Sequence, residues 1–220
     1  MGCMRIRSGR AALVGLAGVA GAALWWRSSS RRRHLPCPAW LGWILENPYS
    51  DWIAGSRVLL DRAGVEAGMR VLDAGAGTGR VALGAAERVG SRGEVVALDL
   101  QPGMLAQVRQ KATGRGLANV RTVAGSVESA DALGVEYAGY FDRAFLVTVL
   151  GEVPDRVAGL RTLYGLLRPE GVLSVTEFLP DPHYQSRTTV RQLATEAGFR
   201  PGAAFGGVLA FTLNLHKGGR

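Results

Sequence analysis

Cysteine and histidine are scarce in this chain of 220 residues, with two of the first and three of the second. Cys3 and Cys37 supply no disulfide framework, and no Cys/His cluster stands at zinc-ligand spacing, so no metal site is expected. Acidic residues are absent from the first 33 positions, which carry seven arginines (Arg5, Arg7, Arg10, Arg27 and Arg31 to Arg33). Removing those seven from the 26 basic residues leaves 19 against 18 acidic ones, so the formal charge of +8 belongs almost wholly to this end. A nucleic-acid enzyme more often carries its basic face on the folded body, and no nucleic-acid partner is expected.

Long apolar runs are also missing. The uncharged, mostly apolar stretch Ala11 to Trp26 has 16 residues. As a helix it would be roughly 24 Å long, short of the ~30 Å hydrocarbon core of a bilayer. Arginines at both ends and the Trp25–Trp26 pair nevertheless favour a membrane anchor, spanning or interfacial, over a cleaved targeting segment. Residues 1–33 are therefore expected to form an apolar helix that makes the protein membrane-associated. Residues 34–66 read as a connector and helical segment, in which Trp40, Trp43 and Trp52 form either a lid or a cover for the core.

From residue 67 onward the chain alternates between two patterns. Apolar strand candidates at 70–74, 94–99, 120–124, 141–146 and 171–177 are separated by helical candidates at 79–89, 102–115, 127–133 and 154–167. Pro154 suits the first turn of the last of these. A further helix at 187–197 precedes two strands joined around Gly206 and Gly207. This order predicts an α/β fold: a doubly wound, mostly parallel seven-stranded sheet with an antiparallel C-terminal edge, over residues 67–220.

Doubly wound sheets bind ligands beyond the C-terminal ends of their strands, where the strand order reverses. "VLDAGAGTGR", residues 71–80, belongs there. Gly75, Gly77 and Gly79 let the backbone turn and approach a ligand closely. The third glycine of a dinucleotide fingerprint is missing, since Arg80 occupies its place, which argues against an NAD(P)-dependent oxidoreductase. Asp73 would repel a diphosphate but suits an ammonium or sulfonium group. Asp99, 24 residues after Gly75, is at the distance from which a carboxylate accepts hydrogen bonds from ribose hydroxyls.

Taken together, "VLDAGAGTGR", "VVALDLQPGML", "FDRAFLVTVLGEVPD" and "LRPEGVLSVTEF" make residues 68–178 resemble class I S-adenosylmethionine-dependent methyltransferases. The similarity is nearest to the ubiquinone/menaquinone-biosynthesis type. The resemblance implies S-adenosyl-L-methionine as cofactor. It places Asp73, Gly75 and Gly77 around the methionine portion, Asp99 on the ribose, and Gln101 and Met104 beside the adenosine. The loop after the fourth strand, with Leu146 and Thr148, would border cofactor and substrate. Ser126 stands where the family often has an aspartate contacting adenine, and "RPEG" replaces the common "RPGG". Because the cofactor is made in the cytosol, the resemblance puts the catalytic domain on that side of a membrane.

The sulfonium methyl is already activated, so the protein needs mainly to align a nucleophile and exclude water. "TEFLPDPHYQSR" follows the fifth strand and should lie over the site. His183 is a candidate base, although it also reads as a histidine of a solvent-facing loop, and Tyr184 is a candidate for positioning the acceptor. Glu177 and Asp181 are alternative polar contacts. The expected acceptor is a small apolar or lipid-like molecule; a non-catalytic module of the same fold is the alternative.

Overall fold

The computed structural model describes residues 55–129, 132–179 and 181–218. The chain divides into two compact units, Met1–Pro36 and Cys37–Arg220, and every described residue belongs to the second. Its elements, numbered among the described residues, are α1 (Ser56–Ala63), β1 (Arg70–Ala74), α2 (Arg80–Val89), β2 (Glu94–Asp99), α3 (Pro102–Gly114), β3 (Val120–Ala124), β4 (Phe141–Val147), α4 (Arg156–Leu166), β5 (Leu167–Phe178), α5 (Arg187–Glu196), β6 (Arg200–Gly206) and β7 (Ala210–His216).

The strands form one sheet of seven in the order β3-β2-β1-β4-β5-β7-β6. Pairing is parallel from β3 through β5, and antiparallel between β5 and β7 and between β7 and β6. The predicted doubly wound sheet with an antiparallel C-terminal edge is the fold observed. Alternation along β1 splits the core in two: Leu72 and Ala74 join Leu160, Leu163 and Val190 on one face. On the other face Val71 joins Leu59, Leu60, Ala82, Leu105 and Val108, so α1, α2 and α3 pack there. Asp73 shares the side of Val71, which aims it at α2.

Helix ends follow from local chemistry. Asp155 caps α4 by accepting from Ala158 N (2.9 Å), and Ser186 caps α5 by accepting from Thr189 N (3.1 Å). Pro154 thus lies just before the cap of α4 rather than in its first turn, as the sequence predicted. The helix expected at 127–133 is not found among the described residues, which form turns and a 3-10 turn at Val135–Tyr137. There the Ser126 hydroxyl accepts from Glu128 N (3.1 Å), a local bond that competes with helix, and Glu128 Oε1 accepts from Asp155 N (2.7 Å). Strand β5 extends further toward its N-terminus than the expected 171–177. Glu170 in "RPEG" adopts φ 64°, a left-handed conformation in which glycine is relaxed.

The expected transmembrane helix, membrane partner and membrane localisation are corrected. The longest described helix, α3, has 13 residues, and among the described residues no helix is long and apolar enough to cross a membrane, which takes ~20. The segment 11–26 on which that expectation rested lies outside the described residues, as do Trp40, Trp43 and Trp52.

Candidate active site

The strand order reverses between β1 and β4, so the loops that follow their C-terminal ends diverge and leave a crevice. The β1–α2 loop is bound to its neighbour by backbone: Gly75 N and Ala76 N both donate to Leu98 O, at 2.8 and 3.0 Å. Gly75, Gly77 and Gly79 have φ of 76°, 53° and 89°, conformations that side chains resist. A Cβ on Gly77 would meet nothing within 4 Å, so the middle of the loop borders open space. Asp99 organises this corner: Oδ2 accepts from Gly77 N and Oδ1 from Gln101 N, each at 2.8 Å. Each oxygen retains a lone pair for a ribose hydroxyl. Leu100, next to it, is 62% exposed and forms an apolar ledge that sequence reasoning missed.

Asp73 lies beneath the loop, 2% exposed. Its Oδ2 accepts from Ala82 N (2.8 Å), supplying the cap that Gly79, without a side chain, cannot give α2. Burial pushes its carboxyl up to about 7; the Ala82 amide opposes that rise, the Asp99 charge adds to it, and Arg80 opposes it. A buried carboxyl of this kind gains from a nearby cation, so the residues fit a sulfonium- and ammonium-bearing ligand.

The structure joins Asp73, Gly75, Gly77, Asp99 and Gln101 into one corner. Ser126 is adjacent, through Gly125 N donating to Asp99 O (3.1 Å), but its hydroxyl is engaged with Glu128. Met104 is buried in the first turn of α3. Leu146 is fully buried in the core with Leu72 and Val175 and does not reach the crevice. Thr148, two residues on, does lie at the edge, with φ 55° and its N donating to Thr176 O (2.8 Å). Such strain at a non-glycine residue is commonly retained at functional sites.

In the loop after β5, His183 is 6% exposed, so it is not a solvent-facing loop histidine. Its N donates to Asp181 Oδ1 (2.6 Å) and its O accepts from Gln185 Nε2 (2.8 Å). Tyr184 donates its hydroxyl to Val208 O (3.0 Å) and meets Phe211 edge-on, which ties the loop to the β6–β7 hairpin. Glu177 is 1% exposed and Glu152 half-buried; both are pushed up to about 8, first by burial and further by neighbouring carboxylates, Asp181 among them in each case, while the Gln185 amide opposes the rise at Glu177. Glu152 escaped sequence reasoning because "GEVPD" carries no periodicity, and its burial depends on residues distant in the chain. Among the described residues, no group of side chains could hold a metal ion.

These raised carboxyls set a pH dependence. The folded chain keeps protons on Asp73, Glu152 and Glu177 that the unfolded chain loses near its ordinary values of 3.8 to 4.5. Their contribution to stability is therefore fully present below those values and is lost as pH rises toward about 7 to 8. Melting temperatures followed by circular dichroism should decline from pH 5 to pH 8; an increase over that interval would contradict the assignment.

Comparison with known proteins agrees with this geometry. The family described as "Methyltransferase domain" matches residues 65–199. The ubiquinone/menaquinone biosynthesis C-methyltransferase of Serratia proteamaculans is 36% identical over 123 residues, 56% of this chain and 47% of that protein. Its counterpart from Stenotrophomonas maltophilia is 37% identical over 136 residues, 57% of this chain and 48% of that protein. The chain thus spans about half the length of the curated relatives it matches. A crystal structure described as a SAM-dependent methyltransferase from Aquifex aeolicus superposes with TM-score 0.74 at 21% identity, covering 83% of this chain and all of that one, which shows the fold. With the glycine loop, the Asp99 carboxylate and the family match coinciding on one strand-end crevice, the chain belongs to the methyltransferase domain family and has the fold of class I S-adenosylmethionine-dependent methyltransferases.

Proposed function

We propose that the chain methylates a small apolar acceptor held over the C-terminal ends of β4 and β5. The observation that carries this reading is an exposed apolar tip joined to a segment that carries buried polar residues. Pairing of Phe178 with Ala210 brings the β6–β7 tip to the same end as the crevice, and there Val208 and Leu209 are 76% and 68% exposed. Tyr184 donates its hydroxyl to Val208 O and Leu179 N donates to Leu209 O, so the tip is joined to the segment that carries His183 and Glu177, both buried. An apolar body with one polar handle satisfies both surfaces. The names of the curated relatives, C-methyltransferases of ubiquinone/menaquinone biosynthesis, support an acceptor of the quinone-precursor kind.

In this reading Asp73, Gly75, Gly77 and Asp99 hold the cofactor, with Gln101, Met104 and Ser126 lining its adenosine end. Bound S-adenosylmethionine supplies an activated methyl, and the chain's task is orientation. His183 and Tyr184 shape the loop that positions the acceptor, and that loop packs directly against Gly151. Incubating the full chain with methyl-labelled cofactor and an extract of small metabolites should move label into a low-molecular-weight, solvent-extractable product. Label appearing only in protein or nucleic acid would reject a small acceptor.

A further inference from the structure

Glu177, the penultimate residue of β5, has a buried oxygen with no use inside the protein. Its Oε2 accepts from Gln185 N (3.2 Å), whereas Oε1 is buried without a hydrogen-bond partner. A buried polar atom left unsatisfied destabilises the fold, and such atoms persist where a ligand completes them. Groups from each neighbouring element bear on it. The β4–α4 loop contributes Glu152, the loop after β5 contributes Asp181, and α4 contributes Arg156 at its first position. His183 and Gln185 flank it on the same loop, and Phe211 of β7 is its partner across the sheet. Arg156 lends Nη2 to Gly151 O (3.4 Å), and its Nε is buried without a partner. Among the described residues Glu177 has no close ion pair. The charges of both Asp99 and Asp181 act on Glu152.

We infer that Glu177 takes the proton of the methyl acceptor through its free Oε1, so that the acceptor carries a removable O–H or N–H proton. The inference rests on the methyl-acceptor reading above and names the chemistry of its polar handle. The acceptor's proton passes to Glu177 Oε1. The electron pair left behind forms the bond to the methyl carbon, and the pair of the breaking carbon–sulfur bond stays on sulfur, leaving a neutral thioether. Glu177 then returns the proton to water. When a phenol is methylated on a ring carbon, the O–H proton leaves by the same route, and the ring C–H proton afterwards restores the hydroxyl. Burial and the neighbouring carboxyls hold the Glu177 carboxyl near 8, basic enough to accept a phenol or ammonium proton as the site fills.

The test uses the full chain as wild type, Glu177→Gln and Glu177→Asp. Calorimetry with S-adenosylhomocysteine should give the same affinity for all three, which reports on the cofactor site alone. Transfer of labelled methyl to the product formed by wild type should fall about 10²- to 10⁴-fold in Glu177→Gln, with KM little changed and partial recovery in Glu177→Asp. The rise of the wild-type rate with pH through about 8 should disappear in Glu177→Gln. Carbon-13 spectra of glutamate-labelled protein supply a readout independent of turnover. The carboxyl resonance missing from Glu177→Gln should shift when 1-naphthol, as a phenol probe, or phenethylamine, as an amine probe, is added beside S-adenosylhomocysteine; which probe acts separates the two acceptor classes. A resonance unmoved by both, or Glu177→Gln turnover equal to wild type with the same pH profile, overturns the inference. If wild type labels no small molecule, the methyl-acceptor reading fails and the resonance alone decides the role of Glu177.

Discussion

Replacing Gly151 by alanine should lower kcat by roughly 10²-fold, the scale expected when a site is displaced by about an ångström. Gly151 is buried in the β4–α4 loop, directly against the loop that follows β5. A Cβ there would overlap the carbonyl oxygen of His183 and stand 2.7 Å from its carbonyl carbon and 2.8 Å from its Cβ. The obstruction is backbone, so no rotamer change relieves it. The same carbonyl accepts from Gln185 Nε2, and Gln185 N donates to Glu177, so the displacement passes directly to the acceptor side. Overpacking of this kind destabilises by about 1–3 kcal/mol, visible as a lower melting temperature. Cofactor affinity should stay near that of wild type, because the ribose corner is held by separate bonds from Gly77 and Gln101 to Asp99. Turnover unchanged in Gly151→Ala would show that the 181–185 loop does not shape the acceptor site.

Asp73→Asn and Asp73→Ala should separate two roles that the native carboxylate combines. Alanine removes the cap of α2 and should destabilise the chain by about 1 kcal/mol. Asparagine still offers an oxygen to Ala82 N and is neutral, so it escapes the burial penalty that raises the native carboxyl to about 7. Above pH 7 the asparagine variant should melt at or above the wild-type temperature. Both variants should nevertheless bind S-adenosylmethionine more weakly, by about tenfold or more, the loss of one interaction with a charged group of about 1.5–3 kcal/mol. If Asp73 acts on the sulfonium, calorimetry should show a smaller loss for S-adenosylhomocysteine, which lacks that charge. Equal losses would assign its partner to the ammonium instead, and unchanged affinity for both ligands would reduce Asp73 to a helix cap.

The parallel half of the sheet was readable from sequence because its inner strands β1, β2 and β4 are buried at nearly every residue, while the edge strand β3 is short and largely exposed. Arg70–Ala74, Glu94–Asp99 and Val120–Ala124 are apolar runs closed by a glycine or an aspartate, and the structure gives those bounds. The segment after β3 was not readable, since a single Ser126–Glu128 bond replaces the helix its composition favours. The position of Leu146 depends on which side of β4 meets the core, a matter decided by packing against Leu72 and Val175. Within the site, the glycine loop and Asp99 are local in sequence and carry a motif. The acceptor side is assembled from loops separated in the chain, where Gly151 meets His183 and where burial of Glu152 and Glu177 is created by tertiary packing. The expected membrane anchor illustrates a different limit: an apolar run of 16 residues fixes neither placement nor partner.

The central claim is that the crevice at the ends of β1, β2 and β4 is a cofactor site organised by Asp99. Titrating the full chain with S-adenosylhomocysteine in a calorimeter tests it most directly, alongside Asp99→Ala. Binding should saturate at one ligand per chain and weaken sharply in the variant, which loses the bond that fixes Gly77 and the carboxylate proposed to hold the ribose. Absence of binding to folded wild-type protein at millimolar ligand, or equal affinity in Asp99→Ala, would contradict the claim.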